Sequence, residues 1–154
     1  MTFIYYLMNT FDNIIIFTDG ACSNNGKPIA KGGCGVHFPH KELQDISQQF
    51  TKSPITNNRA ELYAILSALN ALQNIIFNTL TINSDSKYAI NCVTIWYKKW
   101  EKNGFVGSNK KPVENLDIID DIVKIIRSNP NIKFQYVARE YNTEADKLAK
   151  NGCK

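Results

Sequence analysis

Four carboxylates in this sequence stand where a purely structural acid would be awkward. Asp19 closes the β-branched run Ile14-Ile15-Ile16-Phe17, and Asp85 follows a second short run, Leu80 to Asn83. Such runs read as buried strands stopped by turns. If the two strands are parallel neighbours, both acids sit at carboxyl ends, where open α/β sheets place their sites. Glu61 is followed by Ile65 and Leu69 at helical spacing, which puts its carboxylate on the buried stripe of a helix. Asp146 is set in a similar way among Ala145, Leu148 and Ala149. Taken singly, each acid has a plainer reading as a turn residue, a helix start or a solvated helix face. Gathered at one sheet edge, they would repel one another and resist desolvation unless divalent cations drew them together. Oxygen ligands without a Cys/His set suit Mg²⁺ or Mn²⁺ rather than zinc.

The elements around these acids alternate after an initial β-meander. The strand ending at Thr18-Asp19-Gly20 leads into a loop, Ala21 to Lys31, rich in Asn, Gly and Pro. Gly32 to Phe38 and Leu43 to Thr51 are expected to pair as a hairpin about Pro39-His40-Lys41. Asn57 to Leu72 carries one apolar stripe at helical spacing, with Thr56 or Asn57 as its cap. After Leu80 to Asn83, Ser84-Asp85-Ser86 offers a serine cap for a helix from Lys87 to about Ile95. Trp96 to Lys111 is basic and aromatic. Asn115 to Ile126 reads as an amphipathic helix, Ile132 to Val137 as a last strand, and Thr143 to Lys150 as a terminal helix. This order predicts an α/β sheet that is part antiparallel and part parallel, flanked by helices.

With 154 residues, the chain has room for one real core, and no repeat or Pro/Gly-rich linker divides it. Its 44% hydrophobic and 21% charged fractions exclude a largely disordered chain. A net charge of +4 permits a nucleic-acid partner without establishing one. The distribution is more telling, because Lys98, Lys99, Lys102, Lys110 and Lys111 crowd one stretch. Cys22, Cys34, Cys92 and Cys153 form no C-x-x-C pair and read as reduced thiols. Residues 1–13 are expected to be a short extension. They lack a basic n-region and a cleavage site, and their apolar run is too short for a membrane span. The expectation is a monomer of the cytoplasm or nucleus, neither secreted nor membrane-bound.

At the acids the sequence resembles the type 1 ribonuclease H family. TDGA (Thr18 to Ala21), with Gly32, Gly33 and Gly35 following, is similar to the family's first-strand motif and its G-G-x-G. TNNRAEL (Thr56 to Leu62) resembles the first-helix motif, SDSKY (Ser84 to Tyr88) the fourth-strand motif, and EADKLA (Glu144 to Ala149) the final helix. Four motifs in order, from about Ile14 to Ala149, make a specific match.

The resemblance implies a ribonuclease H-like fold over residues 14–154. Its five-stranded mixed sheet would have the first three strands antiparallel. It implies an endonuclease cutting the RNA strand of RNA/DNA hybrids and leaving 5′-phosphate and 3′-hydroxyl ends. Two Mg²⁺ ions, with Mn²⁺ able to substitute, would be held by Asp19, Glu61, Asp85 and Asp146. Contacts to RNA 2′-hydroxyls would fall to Cys22, Ser23, Asn24, Asn57 and Glu61. Thr56 and Asn58 would sit in the DNA-strand groove. The stretch from Trp96 to Asn115 resembles the family's basic protrusion. There Trp96 and Trp100 would form an aromatic platform among Lys98, Lys99, Lys102, Lys110 and Lys111.

One departure concerns catalysis. Many family members carry a histidine on a flexible loop before the final acid. Here Val137 to Asn142 leads almost directly to Glu144-Ala145-Asp146 with no histidine, a form similar to that of some archaeal and plant-like relatives. Arg139 or Glu140 is expected to take the histidine's place. His37 and His40 are expected to be hairpin residues. A free-standing nuclease, the ribonuclease H part of a reverse transcriptase and a silent hybrid-binding module are the competing readings. The last would require a missing metal ligand, and all four acids are present.

Overall fold

The computed structural model describes residues 10–154. Its strands are β1 (Thr10–Ser23), β2 (Lys31–His37), β3 (Ile46–Phe50), β4 (Ile76–Ser84) and β5 (Ile132–Tyr136). The helices are α1 (Asn57–Ala71), α2 (Lys87–Asn91), α3 (Tyr97–Asn103), α4 (Leu116–Arg127) and α5 (Thr143–Gly152). A wide π-type turn, Cys92–Trp96, joins α2 to α3, and a 3₁₀ turn, Arg139–Tyr141, precedes α5.

The strands form one sheet in the order β3-β2-β1-β4-β5. β1 pairs antiparallel with β2, and β2 with β3, whereas β1–β4 and β4–β5 are parallel. The expected mixed sheet with three antiparallel strands is therefore present. Thr18 pairs with Ser84, so Asp19 and Asp85 lie side by side where the parallel pairing of β1 and β4 stops. Asp85 follows the end of β4, whereas β1 does not end at Asp19 as expected but runs on to Ser23, held by its antiparallel pairing with β2.

Ile14, Ile16, Leu80 and Ile82 alternate inward along the two central strands, and Leu62, Ile65, Ile118 and Ile122 of α1 and α4 close over them. Each of these eight side chains is wholly buried, a burial worth about 1.5–3 kcal/mol apiece. Among the described residues, no helix is long and apolar enough to cross a membrane.

Several boundaries differ from the sequence reading for local reasons. β1 begins at Thr10, so residues 10–13 of the expected extension belong to the strand, where Thr10, Phe11 and Asn13 pair with Ile76, Phe77 and Thr79 of β4. The same pairing starts β4 at Ile76 rather than Leu80. Residues 1–9 of the expected extension lie outside the described residues. β3 starts at Ile46 rather than Leu43 because Asp45 holds the preceding turn. Its carboxylate accepts from the Phe38 N–H at 2.8 Å and lies 2.7 Å from His37 Nδ1. The helix expected to stop near Ile95 instead runs through the π-type turn to Asn103. Gly104, at φ +78, then caps it by donating to the Trp100 carbonyl.

Candidate active site

Asp19 of β1, Glu61 of α1, Asp85 from the turn after β4 and Asp146 of α5 line one open cleft of about 650 Å³. Two close approaches bring these elements together. A Cβ placed on Gly20 would lie 2.2 Å from the Glu61 backbone nitrogen, so only glycine lets α1 rest on β1 at Ala60 and Glu61, beside Asp19. On β2, a Cβ on Gly35 would lie 2.4 Å from the Ala145 carbonyl oxygen, and one on Gly33 2.0 Å from that of Ala149. These two glycines form a floor on which α5 packs by its backbone. Gly35 is the cross-strand partner of Asp19, which places Asp146 near it.

Side-chain and backbone ties fix the rest of the rim. Thr56 caps α1, its hydroxyl accepting from the Arg59 N–H at 3.2 Å, which decides between the two expected caps. The Asn57 N–H donates to Asn25 Oδ1 at 3.0 Å, tying the β1–β2 loop to the helix. Ser86 caps α2 through the Ala89 N–H at 3.0 Å. Arg59, only 3% exposed, grips both oxygens of Asp117 at 2.8 Å and locks the start of α1 to the start of α4. Its guanidinium holds the Asp117 carboxyl well below the usual carboxylate range.

The electrostatics are those of crowded, desolvated acids. Asp19, Glu61 and Asp85 each offer an oxygen within 4.8 Å of the others. Burial, with repulsion from Asp85 and Asp146, pushes the Asp19 carboxyl up to about 7 despite a hydrogen bond with Glu61. Burial and the Asp19 charge push Glu61 well above its ordinary value. Glu61 Oε2 is buried with no hydrogen-bond partner. A protein gains nothing by burying such an oxygen unless something else satisfies it. An all-oxygen donor set with one orphaned carboxylate oxygen fits a hard divalent cation. Asp146 stands at the edge of this trio, with Lys150 Nζ at 2.9 Å from its Oδ2.

Other expected site residues fall into three groups. Cys22, Ser23, Asn57 and Asn58 line the cleft with the acids, as does Arg139 on its 3₁₀ turn. Asn24 and Thr56 flank it, Asn24 in a left-handed turn at φ +55. The remainder lie at the protrusion, where half-buried Trp96 and Trp100, with rings 6.2 Å apart, line a second groove. Tyr88 meets Trp96 edge-on at 6.0 Å. Lys99 lines that groove, whereas Lys98 lines another beside Tyr97, Arg127 and Phe134. Lys102, Lys110 and Lys111 are exposed nearby in the chain. Of the two candidates for the histidine's place, Arg139 lines the cleft and Glu140 does not.

Sequence reasoning missed Lys150, Cys153 and Ser86 in the cleft wall. Lys150 carried a usable signal, since it follows Asp146 by four residues on one helix face. Asn142, 1% exposed, was missed as well.

Parallel central strands delivering acids to one edge, with a helix on each side contributing another, define a nuclease-type acid site on a ribonuclease H-like sheet. The chain belongs to the RNase H family, whose model matches residues 12–154. It is 41% identical to a ribonuclease H of Schizosaccharomyces pombe over 92% of this chain and 53% of the relative. To a ribonuclease H of Prosthecochloris aestuarii it is 38% identical over 92% of this chain and 95% of the relative. The chain therefore spans about half of the yeast protein and nearly all of the bacterial one. Among solved structures, LC11-RNase H1 in complex with an RNA/DNA hybrid shares the fold, with a TM-score of 0.68 and 24% identity over 91% of this chain and 96% of that one.

Proposed function

We propose that this chain is a metal-dependent endonuclease that hydrolyses the RNA strand of RNA/DNA hybrids, leaving 5′-phosphate and 3′-hydroxyl ends. The observation that carries the reading is the convergence of Asp19, Glu61 and Asp85 within 4.8 Å, with Glu61 Oε2 buried and unpartnered. Those three acids, joined by Asp146 from α5, would hold two Mg²⁺ ions, with Mn²⁺ as a substitute. Bound there, the ions supply Lewis-acid polarisation of the phosphate and stabilise charge developing on the leaving oxygen. The ribonuclease H relatives and the hybrid held by the LC11 neighbour support the substrate class.

The chain's own side chains do the positioning. Cys22, Ser23, Asn24, Asn57 and Glu61 read the 2′-hydroxyls of the RNA strand, partly through backbone groups. Thr56, Asn58 and the Trp96–Trp100 platform, with Lys98, Lys99, Lys102, Lys110 and Lys111 around it, hold the DNA strand by its backbone. Arg139 lines the cleft with the acids, and a guanidinium there works by charge neutralisation and not by proton abstraction. In this reading the chain is a member of the short-loop subgroup that lacks the loop histidine. A monomer acting in the cytoplasm or nucleus completes the proposal.

The test is cleavage of labelled hybrid, duplex RNA, duplex DNA and single strands, with and without Mg²⁺. Mg²⁺-dependent cutting confined to the RNA of the hybrid is expected. Equal cutting of duplex DNA, or undiminished activity in EDTA, would sink the reading.

A further inference from the structure

We propose that Asn142 is a positioning residue that holds the α5 side of the cleft, Arg139 and Asp146 together, against the strand that carries Asp19. The proposal rests on the hydrolytic reading above and adds to it a residue that touches no substrate. Although it lies in the short connection before α5, Asn142 is 1% exposed. Its side-chain amide donates to the Thr18 carbonyl at 3.0 Å, one residue before Asp19. Its backbone N–H donates to the Arg139 carbonyl at 3.0 Å and closes the turn that presents Arg139. Its own carbonyl accepts the Asp146 N–H at 3.1 Å, in the first turn of α5. One buried residue is thus bonded to the backbones of Arg139 and Asp146 and to that of Asp19's neighbour.

An ordinary cap would direct this side chain onto the free N–H groups of its own helix. Asn142 makes no such bond and reaches across to β1 instead. Its Oδ1 is left buried without a partner, so the residue carries a cost that a smaller apolar side chain would avoid. The packing explains the need. At the Gly33 and Gly35 floor α5 meets β2 largely through backbone, so hydrogen bonds to neighbouring strands help to fix its position. Ser47 ties the middle of the helix to β3 through the Leu148 carbonyl at 2.7 Å. The Asn142–Thr18 bond ties the end that matters for the cleft.

The experiment compares Asn142→Ala and the near-isosteric Asn142→Asp with the wild-type chain. The readouts are Mg²⁺-dependent hybrid cleavage, hybrid affinity in EDTA and thermal melting. Displacement of Asp146 and Arg139 by a fraction of an ångström to an ångström is expected to lower kcat by roughly ten- to a hundredfold. More Mg²⁺ should be needed for half-maximal rate, while KM and the EDTA affinity stay at wild-type values. A folded variant with wild-type kcat and Mg²⁺ dependence overturns the proposal, as does one in which only KM moves. Hydrogen exchange on the wild-type chain decides the matter even if neither variant folds. The Asn142 side-chain amide and the Asp146 N–H should exchange slowly and in step, and free exchange of the Asn142 amide overturns the tie. If the wild-type chain cuts no hybrid with Mg²⁺ present, the hydrolytic reading fails while the exchange measurement still reports on the tie.

Discussion

The acid cleft and the basic protrusion carry their charge by opposite means, and in the proposed function both meet one nucleic acid. In the cleft, charge is buried, crowded and held to within ångströms by backbone contacts at Gly20, Gly33 and Gly35. On α3 no residue is buried, and Lys98, Lys99 and Lys102 extend into solvent. Desolvated charges interact strongly and respond steeply to small displacements. Exposed charges act through a screened field that tolerates displacement and adds up site by site. Substitutions in the cleft should therefore change turnover abruptly. Those on the protrusion should change affinity gradually and in a salt-dependent way.

The largest expected effect comes from Asp19→Asn, which keeps the shape of the side chain and removes its charge. Cleavage of hybrid should fall by roughly 10³-fold or more, since residues acting as one unit fail together. Hybrid affinity in EDTA should be nearly unchanged. Activity within tenfold of wild type would remove Asp19 from the site and erase the contrast between the regions.

Arg139→Ala should follow, with turnover reduced by about the 10²-fold scale of a lost electrostatic stabiliser, or less. Arg139→Lys should recover part of it, because the charge returns without the planar fork. With no histidine at this place, the rate should rise with pH without an inflection of the histidine kind. If Arg139→Ala matches wild type in both turnover and affinity, Glu140 becomes the residue to test.

The same burial that readies the cleft for cations should cost the metal-free chain stability. Asp19's carboxyl is raised from an ordinary value of 3.8 to about 7 in the folded chain. Between those values the folded state holds a proton that the unfolded state has released, so stability falls as pH rises through that window. In EDTA, melting temperature should therefore decline from about pH 4 to pH 7. Asp19→Asn should flatten the decline and melt several degrees higher above pH 7, a shift readable by circular dichroism. Saturating Mg²⁺ should abolish the difference by stabilising the wild type alone. An identical pH profile for the two proteins would mean that the carboxyl is not strained.

What could be read in the sequence was what local pattern encodes. Asp19 and Asp85 were placed by the strand runs before them, and Glu61 by the apolar stripe that follows it. Each needs only a period of two or of 3.6. What escaped depends on contacts between distant segments or on a break in the period. Asn142 looked like one polar loop residue among several, and only the approach of β1 shows its amide bonded to Thr18. Asp45 shortened β3 through side-chain bonds that no alternation pattern reports. The π-type turn at Cys92–Trp96 inserts an extra residue into the helical path. A uniform helical count therefore gives the wrong phase for everything after it, including the lysines that had been grouped as one patch.

That rephasing yields the smallest and sharpest prediction. Trp96, Lys99, Trp100 and Asn103 share one face of the helical run and line the aromatic groove. Lys98 points with Thr94 and Tyr97 toward Arg127 and Phe134. If the aromatic groove follows the DNA backbone, Lys99 contributes a phosphate contact and Lys98 only a distant charge. Lys99→Ala should then weaken hybrid affinity severalfold at low salt and reduce the slope of log affinity against log salt by about 0.9, the share of one released counterion. Lys98→Ala should leave the slope near its wild-type value, and neither change should alter kcat at saturating substrate. Equal slopes for the two variants, both reduced, would mean that the protrusion works as an undirected cloud of charge. Equal slopes at the wild-type value would move the DNA strand off this helix altogether. A loss of kcat at Lys99 would break the division of labour between protrusion and cleft, because an exposed lysine on α3 would then be acting on the chemical step.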